Sequence, residues 1–160
     1  MYFFCYSISM KCELCPRKCS VDRTKTIGFC GAKNLKVAKT MLHFWEEPII
    51  SGNNGSGAIF FSHCSLKCCF CQNYEISHLG KGEEISIERL AQMFKELEEM
   101  GAHNINLVSP THYTDEIIKA LNIYQPNIPI VWNTNSYEEV VTIKKLKNYV
   151  DIYLADLKFV

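Results

Sequence analysis

The chain has 160 residues, 48% of them hydrophobic and 21% charged, the proportions of one soluble globular domain with a buried core. Basic and acidic side chains balance at 17 each, so net charge gives no reason to expect nucleic acid or an anionic membrane as partner. No apolar run reaches the roughly 18 residues needed to cross a bilayer.

The opening MYFFCYSIS lacks the basic start and the small-residue cleavage site of an export signal, and its texture differs from the rest. Translation is therefore expected to begin at Met10, in a reducing cytoplasm. The chain carries nine cysteines, which in a small secreted protein would mean disulfides; in the cytoplasm they favour metal.

From Lys11 to about Gly57 the sequence is rich in Cys, Lys, Gly and Asn without sustained periodicity, so 1–57 reads as a Cys-rich segment of loops and short strands. Cys12, Cys15, Cys19 and Cys30 form a CxxCxxxC run followed by a fourth thiol, a pattern of metal ligands for zinc or an iron–sulfur cluster. Residues 1–40 hold eight Lys or Arg against two acids. That excess is either a solvated face or an offset for clustered thiolates. The glycine-rich GNNGSG at 52–57 lacks the Lys-Ser/Thr of a phosphate loop and precedes its strand. His43, near Trp45 and Glu46, reads as a packing residue.

From residue 58 the pattern becomes regular. The run 58–63 (AIFFSH) is too short for a buried helix and predicts a strand. Ser86 caps a predicted helix with Ile87, Leu90, Phe94 and Leu97 on one face, and Gly101 stops it. A second strand follows at 104–108. The next helix starts at Thr114, carries Ile117, Ile118, Leu121 and Tyr124, and ends before Pro126. A third strand is predicted at 128–132. Ser136 with Glu139 forms an expected capping box for a helix that turns Val140, Ile143 and Leu146 inward, and a fourth strand lies at 152–157. Four strands alternating with three helices predict an α/β fold with a parallel sheet.

In such folds chemistry gathers at the carboxyl ends of the strands. Those ends carry Cys64; Ser109, Thr111 and His112; Asn133, Thr134 and Asn135; and Asp156 with Lys158. Cys64, Cys68 and Cys71 stand as CxxxCxxC on the loop after the first strand. Three soft thiolates from one tight loop suit three irons of a four-iron cluster and leave one iron open for a substrate. Zinc completed by His63 or His78, and a redox pair of Cys68 with Cys71, are the rival readings. Cys69 falls outside the spacing and reads as a small core residue.

This CxxxCxxC spacing with an aromatic at Phe70, on the loop after the first strand of a βα series, resembles the radical S-adenosylmethionine superfamily. The stretches EEPIISGNNGSGAIFFSHC, Gln72-Asn73, GAHNINLVSPTH and DIYLADLK resemble its branch related to pyruvate formate-lyase activating enzyme, and the likeness runs from about Lys11 to the end. The resemblance implies a partial parallel (βα) barrel over 58–160. It implies a [4Fe–4S] cluster on Cys64, Cys68 and Cys71, with S-adenosylmethionine chelating the open iron. One-electron cleavage of the sulfonium would then release a 5′-deoxyadenosyl radical that abstracts a hydrogen atom. Phe70, Asn133, Asp156 and Lys158 are its implied cofactor-binding residues, with Phe70 near the adenine and the Asp-x-Lys pair near the methionine end. A low-potential flavodoxin- or ferredoxin-type electron donor and a protein substrate activated through a glycyl radical are the implied partners.

The family's GGE motif is replaced by Ser109-Pro110-Thr111-His112, where His112 either substitutes for its contact or starts a helix. Six βα units are usual in the family, so four strands ending on an apolar edge predict a truncated barrel or a covered edge. The contrasting reading is a metal-binding or redox-relay module without catalysis.

Overall fold

The computed structural model describes residues 11–158; the expected start at Met10 lies outside them. Six strands form one sheet: β1 (Lys36–His43), β2 (Ser56–Phe61), β3 (Glu83–Glu84), β4 (Ile105–Val108), β5 (Ile130–Thr134) and β6 (Ile152–Ala155), in the order β3-β1-β2-β4-β5-β6. Strands β2, β4, β5 and β6 are mutually parallel. They are the four that periodicity predicted, displaced by up to two residues. The count of four is corrected to six, because β1 and β3 add antiparallel strands on the other side of β2. The described part of the Cys-rich segment thus contributes β1 to the sheet that also carries the βα units.

The helices are α1 (Pro48–Ser51), α2 (Tyr74–Ser77), α3 (Ile87–Glu99), α4 (Thr114–Ile123) and α5 (Val140–Lys145), with a 3-10 turn at Thr111–Tyr113. The three predicted helices correspond to α3, α4 and α5. Helix α3 begins as expected, with the Ser86 hydroxyl accepting from the Arg89 backbone N–H at 3.1 Å. The Ser136–Glu139 capping box does not form: Glu139 is the N-cap and makes no side-chain cap bond. Val140, expected inward, is 66% exposed, and Thr142 is buried in its place with its hydroxyl on the Leu14 carbonyl. The short helix starts three residues later than that capping box would place it, with Glu139 rather than Ser136 as its N-cap.

Strand alternation divides the sheet into two faces. Ile59, Phe61, Ile105, Leu107, Ile130 and Trp132 are fully or almost fully buried, in one core with Leu90, Phe94 and Leu97 of α3 and Ile117 and Leu121 of α4. Each such side chain contributes roughly 1.5–3 kcal/mol of burial, which sets the strand register firmly. The opposite face is then fixed as well. Phe60, Val108, Asn133 and Leu154 lie side by side across four parallel strands, pointing away from the helices.

Candidate functional site at the strand ends

The row Phe60, Val108, Asn133 and Leu154 lines a cavity of about 480 Å³, within the size range of small-molecule sites. At its rim the same cavity meets Cys68, Phe70, Cys71, Asp156 and Lys158. Cys64 is buried beside it. The predicted residues of the second cysteine group and of the cofactor set are therefore brought to one place by four successive strand ends.

Local chain geometry makes this possible. The backbone exits β2, β4 and β5 through non-glycine residues with positive φ: His63 (72°), Ser109 (53°) and Ser136 (62°), and Lys67 (54°) repeats the turn inside the cysteine loop. Each left-handed residue reverses the chain within a single step, at a cost of about 1 kcal/mol or more. The His63 ring lies against Gly31 and Gly80; a Cβ at Gly80 would come within 2.3 Å of it. The loop is then closed by the Cys71 N–H on the Cys68 carbonyl at 3.1 Å.

Hydrogen-bond donors surround the sulfurs. Cys64 Sγ accepts from the Leu66 N–H at 3.4 Å and from Asn135 Nδ2 at 3.4 Å, and Cys71 Sγ accepts from the Ser77 hydroxyl at 3.3 Å. Such donors favour sulfur in its anionic, metal-binding form. Burial pushes the Cys68 thiol up, and its neighbours Cys64 and Cys71 push it further. Across the rim the Asp156 carboxylate accepts from the Lys158 ammonium at 2.6 Å. That bond raises the Lys158 pKa, as do Cys68 and Cys71 behind it. A cation thus faces the sulfurs.

Several expectations are corrected here. Cys69 is exposed and is no core residue. His112 is fully buried, and its Nε2–H donates to the Ser62 carbonyl at 2.7 Å. It is a helix-start residue, and Ser109 lines the cavity instead. His78 stacks on Tyr74 and contacts the Ser77 hydroxyl. Among the described residues, no group of three or more His, Cys, Asp or Glu stands at the spacing of ligands around one metal ion. His63 is packed against Gly31 and Gly80, and His78 is engaged by Tyr74 and Ser77. A cubane takes one thiolate per iron, so three thiolates of one loop suit it.

Sequence reasoning gave Ser77 and Asn106 no role. Asn135 was noted only as one polar residue of a rim, since its contact to Cys64 joins positions 71 apart. Glu138 was missed altogether. Its carboxylate accepts from the hydroxyls of Thr111 and Thr134, at 2.7 and 2.5 Å, and from the Trp132 indole at 3.2 Å, fastening the ends of β4 and β5.

The N-terminal cysteines lie in a separate knot. An antiparallel bridge of Lys11 with Asp22, and left-handed turns at Lys18 and Ser20, fold Cys12, Cys15 and Cys19 together. Cys30 joins them: burial first, and then Cys30, Cys12 and Cys19, push the Cys15 thiol up to about 11. Backbone N–H groups of Phe29 and Ala32 face Cys19 and Cys30 at 3.4 Å each. The eight described cysteines are free thiols.

Comparison with known proteins fits this arrangement. The family model for the radical SAM superfamily matches residues 58–158. The chain is 35% identical over 161 residues to an uncharacterized protein of Methanocaldococcus jannaschii, an alignment covering 96% of this chain and 47% of that protein. The chain thus spans about half the length of the curated relative it matches. No solved structure matches. The family implies a [4Fe–4S] cluster and S-adenosylmethionine, and three thiols on one loop, two of them flanked by donors, beside an open cavity fit both. With its matched region covering every βα unit and the cysteine loop, the chain belongs to the radical SAM superfamily.

Proposed function

We propose that Cys64, Cys68 and Cys71 hold a [4Fe–4S] cluster and that S-adenosylmethionine occupies the adjoining cavity. When bound, this pair supplies reductive cleavage of the sulfonium to a 5′-deoxyadenosyl radical. The observation that carries the reading is the single cavity shared by Cys68, Cys71, Phe70, Asn133, Asp156 and Lys158. Phe70, 69% exposed, offers an aromatic face for the adenine. Asn133 presents an amide from the middle of the lining row. The Asp156–Lys158 pair offers one acceptor and one donor to the amino acid end, and each charge steadies the other until a ligand divides them.

The finer reading is an activating enzyme of the pyruvate formate-lyase type, cytoplasmic, which draws electrons from a flavodoxin- or ferredoxin-type donor and installs a glycyl radical on a protein partner. Supporting it are the exposed Cys69 and Phe70, which put the cluster loop at the surface where a donor can approach. Cys12, Cys15, Cys19 and Cys30 would hold a second metal centre. Their free thiols, with Cys12, Cys19 and Cys30 within electrostatic reach of Cys15, support this reading. A structural or relay centre without catalysis is the reading against which it is set.

Anaerobic reconstitution decides between them. We expect a brown protein that forms 5′-deoxyadenosine from S-adenosylmethionine with dithionite. Cys64→Ala, Cys68→Ala and Cys71→Ala each abolish that product, and each lowers bound iron by roughly four per chain. A colourless protein, or a brown one that leaves S-adenosylmethionine intact, would overturn the enzyme reading.

A further inference from the structure

Three side chains outside the cavity stand in a line that ends on the cysteine loop. The Ser77 hydroxyl lies 3.3 Å from Cys71 Sγ and 2.8 Å from His78 Nδ1. The His78 ring in turn stacks on Tyr74, with ring centres 4.3 Å apart and planes 19° from parallel. Ser77 is buried, at 7% exposed. All three belong to α2 or cap its end. That turn is tied to the root of the loop, because the His63 N–H donates to the Ile76 carbonyl at 2.9 Å. The backbone therefore places the hydroxyl against the sulfur.

A hydroxyl has one proton to donate, and here it meets two acceptors. When His78 Nδ1 carries no proton, it takes the hydroxyl's hydrogen bond at the shorter distance, and Cys71 faces only oxygen lone pairs. When Nδ1 carries a proton, it donates to Ser77 Oγ and the hydroxyl turns onto the sulfur. A thiolate has nothing to donate, so an anionic Cys71 stabilises the second arrangement and fixes the proton of His78 on Nδ1. The two bonds then run the same way, N–H to oxygen and O–H to sulfur, and each polarises the other. The stacked Tyr74 ring resists rotation of the imidazole and keeps Nδ1 on that line.

Such a chain responds to charge on sulfur. Hydrogen bonds to the ligating sulfurs help set the reduction potential of an iron–sulfur cluster, and a donor favours the more negative, reduced form. Neither Ser77 nor His78 lines the cavity, so their influence passes through the sulfur and not through a ligand of the cavity.

We propose that Ser77 and His78 are positioning residues for electron entry: His78, donating through Nδ1, turns the Ser77 hydroxyl onto Cys71 Sγ and raises the reduction potential of the cluster held there. The proposal rests on reading Cys64, Cys68 and Cys71 as cluster ligands. No proton leaves its atom in this relay. One electron from the low-potential donor enters the cluster, and two hydrogen bonds strengthen.

The test is the midpoint potential of the reconstituted full chain, followed by electron paramagnetic resonance in a mediated anaerobic titration. Ser77→Ala should make reduction about tenfold less favourable, which is about 59 mV for one electron, and Ser77→Thr should restore it. His78→Asn keeps an N–H near the place of Nδ1 and should stay close to the parent. His78→Phe keeps a ring to stack on Tyr74 but orients no hydroxyl, which is then free to turn to the Asn73 carbonyl one turn back; its potential should fall as that of Ser77→Ala does. In the reduced protein, electron–nuclear double resonance should show an exchangeable proton coupling that Ser77→Ala removes. Iron content equal to the parent's shows that a variant folds. If Ser77→Ala loses iron, the comparison of His78→Asn with His78→Phe, which leaves Ser77 in place, decides alone. Potentials unchanged across the variants, or His78→Asn as low as His78→Phe, overturn the relay while the cluster stands. A parent protein that takes up no iron–sulfur cluster overturns the cluster reading and the relay with it.

Discussion

Arg17 Nε donates to the main-chain carbonyl of Ser65 at 3.3 Å, so the N-terminal cysteine knot is fastened to the loop that carries Cys64, Cys68 and Cys71. The same guanidinium lies 3.8 Å from the Phe29 ring centre and 5.5 Å from that of Tyr137. One planar cation between two aromatic rings joins residues 17, 29, 65 and 137.

Arg17→Ala should therefore loosen the cysteine loop without touching a sulfur. We expect about 1–2 kcal/mol of lost stability from the hydrogen bond and the stacking, and faster proteolysis of the loop. Arg17→Lys should recover little, since an ammonium cannot stack and reach the carbonyl at once. Limited proteolysis of the three proteins checks this; equal cleavage rates would refute it.

Glu138 gathers donors from Thr111, Trp132 and Thr134. Glu138→Ala leaves three donors at the ends of β4 and β5 without their acceptor and should cost about 2–4 kcal/mol. Glu138→Gln keeps an acceptor and should cost less than half of that. Urea unfolding monitored by the emission of buried Trp132 measures both, and equal losses would contradict the donor count.

The His63 ring leaves no room beside Gly80, whose φ is +65°. Gly80→Ala meets both strain and collision, and about 2 kcal/mol or more of destabilisation is expected. If collision dominates, His63→Ala in the same chain should relieve part of the loss, a non-additive pair. Strictly additive losses would leave backbone strain as the whole cause.

His112 gives the fold a dependence on acid. Burial pushes its pKa down from 6.5 to about 3, outweighing the bond to the Ser62 carbonyl, which acts the other way. Between those values the unfolded chain takes up a proton that the folded chain refuses. Stability is thus complete above pH 6.5 and falls as pH drops below it, by up to about 1.4 kcal/mol per unit. His112→Asn should be weaker at neutral pH yet show a flatter slope between pH 6.5 and 5. Denaturant midpoints across that range give the answer, and parallel curves for the two proteins would exclude His112 as the source.

The βα units were legible because burial writes them directly: IFF, INL and IVW alternate with Leu90, Phe94 and Leu97 at helical spacing. The strand KVAKTMLH was not, since it lies near the sheet edge, where Lys36 and Lys39 interrupt its apolar residues. The same limit applied at the site. Cys64, Cys68 and Cys71 are close in sequence and could be read as a set, and Asp156 and Lys158 could be read as a pair. Asn106 on Glu46, Asn135 on Cys64 and Glu138 on Thr111 join positions brought near only by folding. Ser136 and Glu139 satisfied a local capping pattern, yet the tertiary pull of Thr111, Trp132 and Thr134 on Glu138 prevailed.

Three strand exits, at His63, Ser109 and Ser136, adopt a twist that only glycine takes freely. Glycine there would remove the strain of positive φ, but it would also give each exit a wider range of directions, in the folded and the unfolded chain alike. The rim's aim is therefore held by side chains that carry backbone strain, and the direction of each loop is set at the step where the chain leaves its strand.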